Sequence, residues 1–190
     1  MATRAFLAVD LNERILDALT EVREKIDDAQ ARIRWVARRN LHVTVLFLGD
    51  VGDDLLAEVC ARAENVASKV APFEFHVERI KCVPDSGPLR MVWAEIEDLQ
   101  GGLESLHDAV KTELAGMGLH EDRRPFKAHL TLARVKSIPD WSAFRNAASA
   151  YADADFGSHL AGDLALYGSE LTPSGPVYRE LSRSVLAGDS

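Results

Sequence analysis

Two short segments of the sequence share one pattern of residues that can carry out proton chemistry. His42-Val-Thr44-Val lies in the first half of the chain, and His129-Leu-Thr131-Leu lies in the second. Both are typical of β-strands, in which alternate side chains face the same way, so each histidine shares a face with its threonine. The intervening apolar residues are then predicted to point into the core: Val43, Val45, Leu130 and Leu132.

Two imidazoles flanked by two hydroxyls are the groups that displacement at phosphorus requires. A base takes a proton from the attacking oxygen, and an acid gives one to the leaving oxygen on the opposite side of phosphorus. Histidine has a reference pKa of about 6.5, so one ring can be neutral while the other is protonated. Each such proton transfer contributes roughly 10²- to 10⁴-fold to the rate. We therefore expect a phosphodiester site, and since neither motif supplies a metal-ligand set, we expect no metal or cofactor.

The predicted elements around the two motifs occur in the same order in both halves of the chain. The first half predicts strand, helix, strand, helix and strand over residues 4–9, 11–29, 41–48, 56–70 and 73–83. The second half predicts this order over residues 89–96, 103–114, 129–135, 140–151 and 160–167, with a last strand over 177–186. Asp10 and Glu13 are predicted to form a capping box at the start of the first helix.

The spacing within the two halves also agrees. Ala8 in the first predicted strand precedes His42 by 34 residues, and Ala94 in the corresponding later strand precedes His129 by 35. An internal duplication is the economical explanation. If the halves pack about a pseudo-twofold axis, the two His/Thr pairs converge on one cleft. We expect residues 1–190 to form one domain of two intertwined lobes.

The composition is that of an ordinary globular protein with an acidic balance. Its 190 residues include 22 lysines and arginines against 30 aspartates and glutamates, a net charge of −8, and 47% are apolar. This balance disfavours gripping long nucleic acid through many phosphates but allows binding of a small or terminal phosphate. Cys60 and Cys82 lack metal-ligand spacing, and no apolar run reaches the ~18 residues of a membrane span. We expect a cytoplasmic monomer without signal peptide, membrane anchor or stable protein partner.

Across nearly the whole chain, the sequence resembles the two-histidine phosphoesterases. The likeness is to their bacterial and archaeal RNA 2′,3′-cyclic phosphodiesterases, also called 2′-5′ RNA ligases. Beside both histidine motifs, the residues that carry the resemblance are the segments 4–9, Trp35, 40–49, 124–134, 166–171 and 175–178. The paired motifs at this separation make the resemblance specific, because either motif alone is a weak signal.

The resemblance implies a bilobal α+β fold in which two pseudo-symmetric β-α-β-α-β halves, with antiparallel sheets, line a central cleft. It implies hydrolysis of a terminal 2′,3′-cyclic phosphate to a 2′-phosphomonoester. In such enzymes the first histidine is the proton donor and the second the acceptor, which makes His42 the acid and His129 the base. The residues alone leave that order open. Ala128 departs from the family, which often has proline before the second histidine.

Four further residues are candidates for substrate binding. Arg134 resembles a family position tied to phosphate binding, although strict strand alternation places it opposite His129 and Thr131. Lys127 belongs to a basic approach to the second motif with Arg123 and Arg124, and a similar basic stretch precedes the first: Arg32, Arg34, Arg38 and Arg39. Trp35 and Phe126 can stack a terminal base, but packing in the core explains both equally well.

Other functions stay open on the sequence alone. The same acid and base can run in reverse as 2′-5′ ligation, or act on a small nucleotide such as ADP-ribose cyclic phosphate. A binding module that recognises RNA ends without turnover is the alternative from another class. The two intact histidines disfavour it, because binding alone needs no proton carriers. The remaining histidines lack a repeated partner and are predicted at the surface or at strand edges: His76, His107, His120 and His159.

Overall fold

The computed structural model describes residues 2–27, 32–120, 125–173 and 175–189 of the chain. The strands are β1 (Ala2–Val9), β2 (Arg32–Trp35), β3 (Val43–Gly52), β4 (Phe73–Val83), β5 (Met91–Glu97), β6 (His129–Ser137), β7 (Asp155–Ala161), β8 (Asp163–Thr172) and β9 (Gly175–Val185). The helices are α1 (Glu13–Ile26), α2 (Asp53–Ala67), α3 (Gly102–Glu113) and α4 (Trp141–Ser149), and a 3₁₀ turn covers Arg38–Asn40. No helix within these ranges is long and apolar enough to cross a membrane.

The strands form two antiparallel sheets that exchange strands between the halves of the chain. One sheet has the order β3-β1-β8-β9, and the other has the order β2-β6-β5-β4-β7. The two motif strands therefore lie in different sheets, with β3 beside β1 and β6 beside β5. The last strand of the first half, β4, pairs with β5 of the second, and β8 of the second half pairs with β1 of the first. This arrangement confirms the α+β class with two antiparallel sheets.

The core consists of the apolar faces of the helices and the inward faces of the strands. The intervening residues of both motifs are buried, with exposed fractions of 0, 1, 0 and 3% for Val43, Val45, Leu130 and Leu132. Helix α1 buries a stripe of apolar residues three or four positions apart: Ile15, Leu19, Val22 and Ile26. The alternation predicted for the motif strands is therefore confirmed at these positions.

The start and end of α1 differ from the prediction. Asn12, not Asp10, caps the helix, because its side-chain oxygen accepts a hydrogen bond from the backbone nitrogen of Ile15 at 3.0 Å. The Asp10 carboxylate instead accepts hydrogen bonds from Tyr167 and Arg183, both on the sheet that contains β1. The helix ends at Ile26, and the predicted extension is wrong at Asp27, whose backbone is already extended. Residues 28 and 29 of that extension fall outside the described residues.

Two strands were missed by the sequence prediction. The basic stretch before the first motif contains β2, whose four residues pair with β6 at the sheet edge. The predicted strand over 160–167 is two strands, since β7 ends at Ala161 and β8 begins at Asp163 in the other sheet. The break falls at Gly162 and Asp163, a short turn signal that the prediction passed over because apolar residues lie on both sides of it.

Candidate active site

The two sheets face each other across a cleft of about 570 Å³ that contains both His/Thr pairs. His42 immediately precedes β3, and His129 is the first residue of β6. Thr44 and Thr131 lie two positions further along the same strands and also line the cleft. The structure therefore brings together, from different sheets, the four residues that the repeated pattern predicted as a site.

The backbone holds both histidine rings in the same way. Nδ1 of His42 is 2.8 Å from the carbonyl oxygen of Asn40, and Nδ1 of His129 is 2.8 Å from that of Lys127. Because a carbonyl oxygen only accepts, Nδ1 of each ring carries a proton. This leaves Nε2 as the nitrogen that can take up or release a proton at a ligand. Nε2 of His42 is 3.0 Å from the Thr44 hydroxyl oxygen.

Aromatic side chains from the neighbouring strands fix the plane of each imidazole. The ring of Phe6 on β1 stacks on His42 with centroids 4.7 Å apart, and Trp93 on β5 stacks on His129 at 4.1 Å. Tyr178 on β9 meets His42 edge-on at 5.4 Å. The sequence prediction named none of the three as a site residue, because their contacts with the histidines depend on how the strands are arranged in the sheets.

The surroundings of His42 favour its neutral form. Burial lowers the pKa of His42, while the hydrogen bond to the Asn40 carbonyl and the negative charge of Asp10 act in the opposite direction. The positive charge of His129 lowers the pKa of His42 further, so the two imidazoles are close enough to interact electrostatically. In the free protein we therefore expect His42 to be neutral at neutral pH.

A β-bulge in each motif strand turns the next cleft residue inward. Thr44 pairs with Ala8 and Leu46 with Leu7, so Val45 is skipped in the ladder. Leu132 is skipped in the same way between β6 and β5. As a result, the fifth residue after each histidine lines the cleft, which is Phe47 in the first lobe and Arg134 in the second. The expectation from strict alternation was wrong for Arg134, because the bulge reverses which side chains face the cleft.

Positive charge is concentrated on the cleft although the protein is acidic. Among the described residues, no aspartate or glutamate lines the cleft, while four arginines do: Arg4, Arg34, Arg39 and Arg134. None of the four forms an ion pair within the described part of the chain, whereas the neighbouring Arg38 pairs with Glu13 and Asp17. Arg34 and Arg134 are direct cross-strand partners between β2 and β6. Like charges in that position repel each other, and a bound anion relieves the repulsion.

The other predicted binding residues lie in different places. Trp35 lines the cleft, and its indole nitrogen donates to Asp27 at 2.6 Å. The Lys127 ammonium is 6.0 Å from the centre of the Trp93 ring that stacks on His129. Phe126 is not among the residues that line the cleft. Arg123 and Arg124 fall outside the described residues.

The position of Phe126 is explained by His107, which sequence reasoning placed at the surface or a strand edge. His107 on α3 is only 9% exposed, and its ring stacks on Phe126 with centroids 4.3 Å apart. Its Nδ1 donates to the carbonyl oxygen of Val45, the bulge residue of β3, at 2.7 Å. We therefore assign Phe126 to packing rather than to base stacking. Within the described ranges, no group of three or more His, Cys, Asp or Glu side chains is arranged to hold a metal ion.

The chain is similar to known proteins along nearly all of its length. The LigT like Phosphoesterase family model matches it twice, over residues 9–93 and 95–178. The RNA 2′,3′-cyclic phosphodiesterase of Archaeoglobus fulgidus is 33% identical over 178 residues, covering 94% of this chain and 97% of the relative. That of Methanocaldococcus jannaschii is 31% identical over 175 residues, covering 92% and 96%.

Two solved structures agree with the fold. TT0787 of Thermus thermophilus superimposes with a TM-score of 0.84 at 29% identity, covering 98% of this chain and all of that one. Escherichia coli LigT, solved with 3′-AMP, superimposes with a TM-score of 0.79 at 26% identity, covering 98% of this chain and 99% of LigT. Because the family model matches both halves and the relatives align over nearly the full length, the chain belongs to the LigT-like phosphoesterase family.

Proposed function

We propose that this protein hydrolyses RNA ends that carry a 2′,3′-cyclic phosphate and leaves a 2′-phosphomonoester. The observation that carries the proposal is the pair of His/Thr motifs from different sheets on one arginine-lined cleft. Relatives that align over more than nine-tenths of the chain are named for this activity, which supports the choice of substrate.

In the proposed reaction, the cyclic phosphate binds between the two histidines. His129 takes a proton from water as the water oxygen attacks phosphorus, and the bond from phosphorus to O3′ breaks. His42 gives its proton to O3′, so the product carries the phosphate on O2′ and a free 3′ hydroxyl. The hydroxyls of Thr44 and Thr131 donate to the non-bridging oxygens, where negative charge develops.

The acid role of His42 depends on the substrate. Because burial lowers the pKa of His42 in the free protein, the ring needs a nearby anion to stay protonated near neutral pH. The bound phosphate supplies that anion and raises the pKa of His42. The proton that His42 donates is therefore taken up with or after substrate binding.

The test is turnover of a short RNA that ends in a 2′,3′-cyclic phosphate, followed by phosphorus NMR with and without EDTA. We expect only the 2′-phosphomonoester, at the same rate in EDTA. His42→Ala and His129→Ala should each lower kcat/KM by about 10² or more, because each removes one proton transfer. His76→Ala is the matched control, since His76 hydrogen-bonds to Asp155 on β7 and does not line the cleft.

Other results would point to a different function. Activity of either cleft variant within about tenfold of the wild type is incompatible with general acid-base catalysis by that ring. Turnover of a small cyclic nucleotide but not of the RNA would indicate a nucleotide enzyme. Tight binding of the RNA with no product from either compound would indicate a binding module.

A further inference from the structure

Arg4 on β1 is one of the four arginines that line the cleft. Its cross-strand partner in the register is Asp50, and opposite charges in such positions attract each other. Nevertheless Arg4 forms no ion pair within the described part of the chain. Its guanidinium carbon lies 4.9 Å from the centre of the Phe47 ring, and both residues line the cleft. The aromatic face therefore holds the cation on the cleft.

Phe47 occupies in the first lobe the position that Arg134 occupies in the second. Each is the fifth residue after its histidine and is turned inward by an equivalent bulge. In the second lobe, this position holds a cation directly, with Arg34 opposite it. In the first lobe, it holds an aromatic ring with the Arg4 cation above it. Each lobe thus places positive charge on the cleft further along the motif strand than its His/Thr pair, through Arg4 in the first lobe and through Arg34 and Arg134 in the second.

The charge on the cleft exceeds what a single cyclic phosphate needs. A cyclic phosphodiester carries one negative charge, and the Arg34 and Arg134 pair already exceeds it. The Arg4 cation belongs to the other lobe, beyond the opposite histidine. An RNA chain carries one further negative charge at every internucleotide linkage, whereas a cyclic mononucleotide has no such linkage and only the one charge of its cyclic phosphate.

We propose that Arg4, held by Phe47, forms a second phosphate subsite that binds the internucleotide phosphate on the 5′ side of the terminal nucleotide. This inference rests on the proposed function. It makes an oligonucleotide end, rather than a cyclic mononucleotide, the preferred substrate class.

The test compares three substrates: a dinucleotide with a terminal 2′,3′-cyclic phosphate, the same compound with an uncharged methylphosphonate linkage, and cyclic CMP. For the wild type, replacing the internal phosphate should lower kcat/KM about tenfold. Arg4→Gln should lower kcat/KM about tenfold on the charged dinucleotide. Arg4→Gln acting on the methylphosphonate dinucleotide should have a kcat/KM no lower than either change gives alone, because both changes remove the same contact.

Salt dependence gives a second readout. For single-stranded substrates, log kcat/KM falls with log salt by roughly 0.7 per phosphate contact, so Arg4→Gln should flatten the slope by about that amount on the charged dinucleotide. Arg4→Lys keeps the charge and should keep the slope. Arg179→Gln is the matched control, because Arg179 is exposed beside Tyr178 on β9 but does not line the cleft. It should leave all three substrates unaffected.

The alternatives are separable. If Arg4→Gln and the methylphosphonate linkage lower kcat/KM additively, Arg4 contacts another group and the inference is overturned. The same holds if Arg4→Gln lowers kcat/KM equally on cyclic CMP, because Arg4 would then act on the scissile phosphate. Equal wild-type kcat/KM for all three substrates would also overturn it while leaving the proposed function intact. If the wild type turns over none of them, the proposed function itself fails. Thermal melting of Arg4→Gln, an exposed position, verifies that the variant is folded.

Discussion

At the scale of single residues, the two histidines differ more than their motifs do. His42 is stacked on Phe6, meets Tyr178 edge-on and has its pKa lowered by burial. His129 is stacked on the larger indole of Trp93, which also has the Lys127 ammonium near its face. Unequal surroundings suit the two roles of the proposed reaction, in which one ring gives a proton and the other takes one.

The order of these roles can be assigned with a substrate whose leaving group needs no proton. On bis(p-nitrophenyl) phosphate, His42→Ala should lose less than about tenfold in kcat/KM, whereas on the cyclic phosphate it should lose about 10² or more. His129→Ala should lose a similar factor on both substrates, because water must be deprotonated in both reactions. Steady-state kinetics of the two variants measure this, and the opposite pattern would make His129 the acid.

At the scale of elements, the bulges in β3 and β6 decide which side chains face the cleft. A bulge leaves backbone groups outside the ladder, and a buried carbonyl needs another partner. For Val45 that partner is Nδ1 of His107 on α3, whose ring also stacks on Phe126 just before the second motif. Helix α3 therefore contacts the bulge of one motif and the approach to the other.

Replacing His107 tests this support. His107→Phe keeps an aromatic ring but removes the donor, so the Val45 carbonyl loses its partner and the free energy of unfolding should fall by about 1–3 kcal/mol. His107→Gln keeps a hydrogen-bond donor and should lower the free energy of unfolding by less. Urea unfolding at neutral pH measures both variants. If the glutamine variant is the less stable, stacking on Phe126 matters more than the hydrogen bond.

At the scale of the whole molecule, charge is sorted by location. The net charge is −8, and several arginines away from the cleft are paired with carboxylates, as Arg62 is with Glu58 and Arg183 with Asp10. The four arginines that line the cleft have no such partner in the described part of the chain. An anionic ligand is therefore attracted to the cleft, while the rest of the acidic surface disfavours binding of long nucleic acid.

Two partly buried histidines also contribute to how stability depends on pH. Burial lowers the pKa of His42 and of His159, so below about pH 6.5 these two groups bind more protons in the unfolded chain than in the folded one. Their contribution to stability is fully present above that pH and is lost as pH falls below it. Urea unfolding should show lower stability at pH 5.5 than at 7.5, and His42→Gln should reduce the difference. An unchanged difference in that variant would contradict a role for His42.

Much of the site could be predicted from the sequence, because it depends on short-range periodicity. Alternation along a strand places His42 beside Thr44 and buries Val43 and Val45, whatever the rest of the chain does. The 3.6-residue repeat of apolar side chains likewise indicated α1, α2 and α3. The recurrence of the pattern at His129 made a shared cleft the simplest arrangement.

Tertiary structure decided everything that depends on which strands are neighbours. The exchange of β4 and β8 between the sheets, the bulge that turns Arg134 inward and the aromatic rings on both histidines all arise from pairing between residues far apart in sequence. The contact between the Arg4 guanidinium and the Phe47 ring likewise joins residues that lie far apart in the sequence. Local patterns carry no information about such partners, because a strand's sequence shows which faces are apolar but not what lies across them.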